Sequence, residues 1–155
     1  MSEKIINVLY VDDEIHNLEP FRATFRRDFN VFTAISAKEA EVILDTTKDI
    51  HVLITDQRMP GTLGTELLAK AAIDFPDQTR VLLTGYSDIE ALKDAVNRGQ
   101  IFRYLQKPWI DDELKKTIED SYNVYHIKKE TQEKNELLIL NNEQLEFMLR
   151  QKLIS

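Results

Sequence analysis

Cysteine does not occur in the 155-residue chain, which excludes disulfides, thiolate nucleophiles and zinc–sulfur sites. Glycine and proline are scarce, at four residues each, and there is no internal repeat or low-complexity segment. The opening Met1-Ser2-Glu3-Lys4 leads into an apolar run too short for a signal peptide or a membrane span. The cytoplasm is therefore the expected compartment. Basic residues are in deficit, 20 Lys and Arg against 27 Asp and Glu, for a net charge of −7. That balance disfavours binding to a polyanion, and no helix-turn-helix segment is present to contact DNA directly. What remains is an ordinary globular composition, 43% hydrophobic and 30% charged, at the length of about one domain.

Short apolar runs alternate with helical patterns over the first two-thirds of the chain. Ile5–Val11 reads as a buried strand ending at Asp12-Asp13. Leu18, Phe21, Phe25 and Phe29 recur at spacings of three and four and predict an amphipathic helix. Val31–Ile35 is a strand, and Ser36 with Glu39 forms a capping box that opens the next helix. His51–Thr55 is a strand ending at Asp56, and Arg58–Gly64 reads as a loop by its Pro and Gly content. Thr65–Phe75 is helical and stopped by Pro76; Arg80–Thr84 is a strand; Asp88–Arg98 is a helix closed by Gly99; Ile101–Leu105 is the last strand.

Strands alternating with single helices imply an α/β fold, a parallel sheet covered on both faces. Ligands in such sheets bind beyond the carboxyl ends of the strands. The residues at those ends are Asp12, Asp13, Asp56, Thr84 and Lys107, so groups scattered through the sequence land on one edge. At about 4 Å, each like-charged pair of carboxylates costs roughly 4 kcal/mol at an effective dielectric near 20. A divalent cation relieves that repulsion, and all-oxygen ligation selects Mg²⁺ or a similar hard ion. With metal and Lys107 drawing on phosphoryl oxygens, Asp56 can act as a nucleophile that forms an acyl phosphate.

The runs Val11-Asp12-Asp13-Glu14, Leu53-Ile54-Thr55-Asp56-Gln57-Arg58-Met59-Pro60-Gly61, Leu82-Leu83-Thr84-Gly85 and Tyr104-Leu105-Gln106-Lys107-Pro108 resemble, in order and spacing, the motifs of bacterial two-component response-regulator receiver domains. The resemblance covers about residues 5–125. It implies a flavodoxin-like (βα)5 doubly wound sheet with strand order 2-1-3-4-5 and phosphotransfer from a sensor histidine kinase or a histidine phosphotransfer protein. It further implies that Asp56 is the phosphoacceptor, Asp13 a direct metal ligand, Asp12 its neighbour acting through water, and the backbone carbonyl of Arg58 a further ligand. Thr84 and Lys107 would contact phosphoryl oxygens, Tyr104 would occupy an aromatic switch position, and the Lys107–Pro108 bond would be cis. Gly64 matches the glycine that lets the loop fold back. Arg58 and Tyr86 stand where bulk can exclude attacking water, and Leu63 departs from the polar residue expected before that glycine. Plainer readings stay open: Thr84 as a strand residue, Tyr104 as core, Trp109 as a partner-binding rim or as a seat for the last helix.

An aspartyl-nucleophile phosphatase of the haloacid-dehalogenase class would need a second Asp two residues after Asp56, and Arg58 stands there. A nucleotide site would need a Gly-rich loop after the first strand, where Asp12-Asp13-Glu14 would repel phosphate. The expectation is therefore a regulator that catalyses only its own phosphotransfer and dephosphorylation. The motif style, with Tyr86-Ser87-Asp88 and Lys107-Pro108-Trp109, resembles receivers joined to cyclic-di-GMP or other signalling-enzyme outputs. From Ile110 through Ser155 there is neither Gly nor Pro. Leu114, Ile118, Tyr122 and Tyr125 can pack on the sheet. Leu138, Asn141, Leu145 and Met148 resemble a short coiled-coil seam. The division is thus residues 1–125 for the receiver and 126–155 for a helical linker or homodimerisation segment, the alternative being a solvated tail.

Overall fold

The structure, a computed structural model, describes residues 5–85, 89–98 and 100–154. The strands are β1 (Asn7–Val11), β2 (Asn30–Ala34), β3 (Val52–Asp56), β4 (Thr79–Thr84) and β5 (Arg103–Gln106). The helices are α1 (Ile15–Phe25), α2 (Ala37–Thr46), α3 (Gly64–Asp74), α4 (Ile89–Asn97) and α5 (Asp111–Ile154). All strand pairs are parallel, in the order β2-β1-β3-β4-β5. The parallel pairing is what the alternation of strands and helices implies, and the order is the one that the receiver resemblance implies. Asp88, which the pattern placed at the start of α4, and Gly99, placed at its end, lie outside the described residues, as do Tyr86 and Ser87.

β1 is buried on both sides, with Val8, Leu9, Tyr10 and Val11 all at 0% exposure, as a central parallel strand requires. Its alternating side chains feed two cores. Leu9, Val11, Leu53 and Leu82 pack with Ala40 and Leu44 of α2, Leu67 and Leu68 of α3, and Leu92 of α4. Val8, Tyr10, Ile54 and Leu83 pack with Phe21 and Phe25 of α1 and with Leu114 and Ile118 of α5. Burial of one such Phe or Leu stabilises the fold by roughly 1.5–3 kcal/mol. Ser36 caps α2 as its sequence position predicts, its hydroxyl accepting from the Glu39 N–H at 3.1 Å.

Most element ends shift by a residue or two from the expected ones, and two core side chains fall outside the elements that the periodicity gave them. Phe29 continues the spacing of α1, yet the helix ends at Phe25 and Phe29 is buried from the following turn. Ile101 is buried in the core ahead of β5, not within it. The Phe102 N–H already bonds the Arg80 carbonyl at 2.8 Å, so the chain is held there before regular strand pairing begins.

Directional bonds fix α5 to the starting ends of the strands. The Thr79 hydroxyl donates to the Ser121 carbonyl at 2.8 Å, and Arg103 Nη1 donates to Asp120 Oδ2 at 3.1 Å. His51 lies edge-on to Tyr122 and Tyr125, with ring centroids 5.1 and 4.7 Å away. Its Nδ1 accepts the Asn7 N–H at 2.9 Å, which requires an unprotonated nitrogen there. Burial pushes the His51 pKa below its ordinary value, with Asp49 opposing that shift. The unfolded chain therefore binds this proton more readily, so the His51 contribution is full above about pH 6.5 and is lost as pH falls through the lowered folded value. Urea midpoints at pH 7.5 and 5.5 should drop more for wild type than for His51→Gln; equal drops would refute the assignment.

The chain divides into two compact units, Met1–Tyr125 and His126–Ser155. The second is helical through Ile154. It displays Leu137, Leu138, Ile139, Leu140, Leu145, Phe147, Met148, Leu149 and Leu153 at 55–87% exposure. No helix among the described residues is long and apolar enough to cross a membrane.

Candidate functional site

β1 and β3 are register neighbours, Val11 opposite Thr55, so Asp12 and Asp56 emerge side by side at the carboxyl edge of the sheet. Thr84 ends β4 opposite Gln106, which puts Lys107 next to it. The Lys107 N–H then donates to the Thr84 carbonyl at 2.9 Å.

Carboxylate oxygens of Asp12, Asp13 and Asp56 lie within 4.8 Å of one another. Lys107 Nζ bridges two of these side chains, 2.9 Å from Asp12 Oδ2 and 3.2 Å from Asp56 Oδ2. One ammonium thus offsets part of the repulsion that the sequence alone assigned to a cation. Three carboxylates against one ammonium still leave a net negative, all-oxygen cluster, and that donor set suits a hard divalent ion.

The charges are tuned unequally. Burial raises the Asp56 pKa above the usual carboxylate range, opposed by Lys107 and reinforced by Asp12. Burial acts in the same direction on Asp12, but hydrogen bonds from Tyr10, Lys107 and the Glu14 N–H outweigh it and hold Asp12 below its ordinary value. Burial lowers the Lys107 pKa, yet its bonds to Asp12 and Asp56 prevail and keep it raised and charged. The site therefore holds a firmly ionised Asp12 and a less acidic Asp56.

The loop after Asp56 folds back on the nucleophile. A Cβ at Gly64 would collide with the Asp56 carbonyl oxygen and come within 3.0 Å of the Asp56 carbonyl carbon and of Gln57 Cα. The Gly64 N–H donates to the Gln57 carbonyl at 2.9 Å. Leu63, at the N-cap of α3, makes no side-chain cap bond. Gln57 supplies it instead, its Oε1 accepting the Thr65 N–H at 2.9 Å, which explains why an apolar residue is tolerated before the glycine. Arg58 is exposed within this loop, while Met59 turns into the core.

Thr84 is fully buried, its hydroxyl donating to the Gly85 carbonyl at 3.2 Å. Tyr104 is 37% exposed, which makes it a surface residue and not core. The Lys107–Pro108 peptide bond is cis. Trp109 packs edge-on against Tyr10 and Phe21, with centroids 5.8 and 6.2 Å away, and also lines a cleft of about 400 Å³ with His16, Asn17, Pro20, Lys107 and Pro108. It seats the start of α5 and forms one wall of that cleft.

Sequence reasoning missed Tyr10, Asn17 and Gln57. The Tyr10 hydroxyl donates to Asp12 Oδ2 at 2.6 Å, and Asn17 Nδ2 reaches the same oxygen at 3.1 Å. The available signal was strand periodicity, because residues two apart share a face and a buried tyrosine hydroxyl seeks a partner.

Comparison with known proteins agrees with this geometry. A family model described as the response regulator receiver domain matches residues 8–119. The hydrogenase transcriptional regulatory protein HoxA of Cupriavidus necator is 38% identical over 118 residues, covering 76% of this chain and 24% of that protein. HoxA of Bradyrhizobium diazoefficiens is 34% identical over 125 residues, covering 81% of this chain and 26% of that protein. This chain thus spans about a quarter of the length of those regulators. A crystal structure described as adenylate cyclase from Rhodopirellula baltica superposes with a TM-score of 0.80 at 33% identity, covering 82% of this chain and 94% of that one. The fold, the strand-edge residues and these similarities together identify the chain as a member of the response regulator receiver domain family.

Proposed function

We propose that this receiver accepts a phosphoryl group on Asp56 from a sensor histidine kinase or a histidine phosphotransfer protein, in a Mg²⁺-dependent reaction. The observation that carries the reading is Asp56 Oδ2 lying 3.2 Å from Lys107 Nζ, in a cluster with Asp12 and Asp13 at the open edge of the sheet. Asp13, Asp56 and the Arg58 carbonyl are the proposed direct ligands of the ion, with Asp12 alongside. When bound, Mg²⁺ supplies neutralisation of phosphoryl oxygens.

An Asp56 carboxylate oxygen attacks the phosphorus of the donor's phosphohistidine. The new O–P bond forms as the P–N bond breaks, and the departing imidazole keeps the electron pair and takes a proton. Lys107 is held charged beside that oxygen and balances the negative charge arriving with the phosphoryl group. Thr84 shares a backbone bond with Lys107 and is the proposed second reader of the phosphoryl oxygens. The surface setting of Tyr104 supports a switch that turns inward once Thr84 is drawn to the phosphoryl group. Arg58 in place of a second acid supports a self-modifying regulator over a phosphatase acting on external substrates, working in the cytoplasm alongside its donor.

Phosphorylation adds about −1.5 to −2 charges at the site and biases a two-state equilibrium. The exposed leucines of the second unit support an output in which two copies pair through that helix, or in which the helix leads to a further effector. Beryllofluoride with Mg²⁺ should bind wild type saturably and shift its sedimentation coefficient, whereas Asp56→Asn should show neither effect. Retained binding in Asp56→Asn would sink the phosphoacceptor assignment, and binding without any sedimentation change would sink the pairing.

A further inference from the structure

We propose that Tyr10 is a positioning residue of the acidic site, whose hydroxyl saturates one oxygen of Asp12 and thereby restrains how strongly Asp12 engages the cation. The inference rests on the Mg²⁺ reading given above and assigns roles within it. Asp12 Oδ2 accepts from Tyr10 Oη at 2.6 Å, Lys107 Nζ at 2.9 Å and Asn17 Nδ2 at 3.1 Å. Oδ1 accepts from the Glu14 N–H at 3.0 Å. A carboxylate offers roughly four acceptor positions, and four donors already converge on this one. A divalent ion needs an oxygen lone pair that nothing else occupies. Asp12 is left with spare capacity on Oδ1 only, and the cluster divides its labour: Asp12 anchors Lys107, while Asp13 and Asp56 are left to ligate.

Tyr10 is the strongest neutral member of that set, because a phenol donating to a carboxylate at this distance makes a charge-assisted bond. Its aim is fixed by packing. Tyr10 is fully buried, with Phe21 at 4.6 Å and Trp109 at 5.8 Å between ring centroids. It stands two residues before Asp12, which follows directly on β1 and still bonds the Ala34 carbonyl through its N–H at 3.1 Å, so its side chain projects on the side from which Oδ2 can be reached. Burial and the neighbouring Asp12 push its hydroxyl well above the ordinary tyrosine range, so it remains a donor.

The sign of the effect separates this role from simple orientation. An outer-shell partner that only orients a ligand strengthens metal binding, and its loss typically weakens affinity by about 10–100-fold. A partner that donates to the carboxylate's other oxygen draws charge away from the oxygen left for the ion, and does the reverse. Tyr10→Phe deletes the hydroxyl and keeps the ring. Titration of the whole chain with MgCl2 by calorimetry, alongside a thermal melt, should show Mg²⁺ bound about 3- to 10-fold more tightly by Tyr10→Phe than by wild type. That gain runs opposite to the affinity loss an orienting partner would leave. Asn17→Ala, which removes another donor to the same oxygen, should shift affinity in the same direction by a smaller factor, and decides the matter if Tyr10→Phe does not fold. Unchanged or weaker binding in the variant, with wild type binding saturably, would overturn the Tyr10 assignment alone. A wild type without saturable Mg²⁺ binding would overturn the metal reading and this inference with it.

Discussion

Lys107→Ala is expected to slow phosphorylation of Asp56 by acetyl phosphate by about 10²–10³-fold, the scale seen when one donor aimed at developing charge is removed. Two consequences of the structure add together here. The ammonium lies 3.2 Å from the nucleophile, so the variant loses the positive charge beside which the dianionic phosphoryl group must arrive. It also lies 2.9 Å from Asp12, so Asp12 and Asp56 then face each other without their shared counter-ion. Burial already raises the Asp56 pKa and Lys107 opposes that rise, so the variant carboxyl titrates higher still. Lys115→Ala is the control, because Lys115 pairs with Asp28 at 3.5 Å on the surface and touches none of the acidic cluster; its rate should match wild type. Phosphate-affinity electrophoresis over time reads both. A Lys107→Ala rate within about threefold of wild type, against the loss expected, would mean that the ammonium only balances charge in the resting protein.

Gly64→Ala should lower stability by about 1–3 kcal/mol, the range of overpacking in a packed interior. The added methyl would overlap the Asp56 carbonyl oxygen and crowd backbone atoms of Asp56 and Gln57 at 3.0 Å. Those atoms belong to β3 and to the turn bonded back through Gln57, so relief requires moving the strand end that carries the nucleophile. The variant should therefore melt lower and also bind beryllofluoride more weakly. Gly85→Ala makes the comparison sharp: no atom lies within 4 Å of a Cβ built there, so its melting temperature should stay close to wild type. Similar melting of Gly64→Ala and wild type would show that the loop adjusts freely.

The sequence exposes those parts of the site whose placement depends only on where strands end. Asp12, Asp56, Thr84 and Lys107 each follow a short apolar run, and a parallel sheet brings such positions to one edge without further information. The same runs carry the resemblance to the receiver family, and the strand order comes only as what that resemblance implies. Tyr10 was hidden because an aromatic in a buried strand reads as packing, and only coordinates reveal that its hydroxyl ends at a carboxylate. Gln57 was hidden for a different reason. Its cap on α3 spans a tight loop, whereas the usual capping signal looks at the residue just before the helix, where Leu63 stands. Phe29 and Ile101 misled because burial does not require regular structure: both are core side chains carried by turns, and periodicity cannot separate that from one more helical or strand position. The bridging of Asp12 and Asp56 by one ammonium was likewise invisible, since the sequence places Lys107 at the edge without saying which carboxylates it reaches.

The way α5 is fastened has a bearing on how a signal can leave the sheet. A helix resting on grease can creep along its neighbour in small increments. Here the Thr79 hydroxyl holds one acceptor on that helix, the Ser121 carbonyl, and the Arg103 guanidinium reaches Asp120 and Thr117. A slip of a fraction of a turn would strand the buried Thr79 hydroxyl, where an orphan costs about 1–3 kcal/mol, whereas the part-exposed Arg103 can turn to water. The allowed positions are consequently discrete, either seated or displaced far enough to find new acceptors, for which one turn of about 5.4 Å is the natural step. Motion of this helix along the sheet is therefore expected in steps of a turn, with the Thr79 bond as the detent.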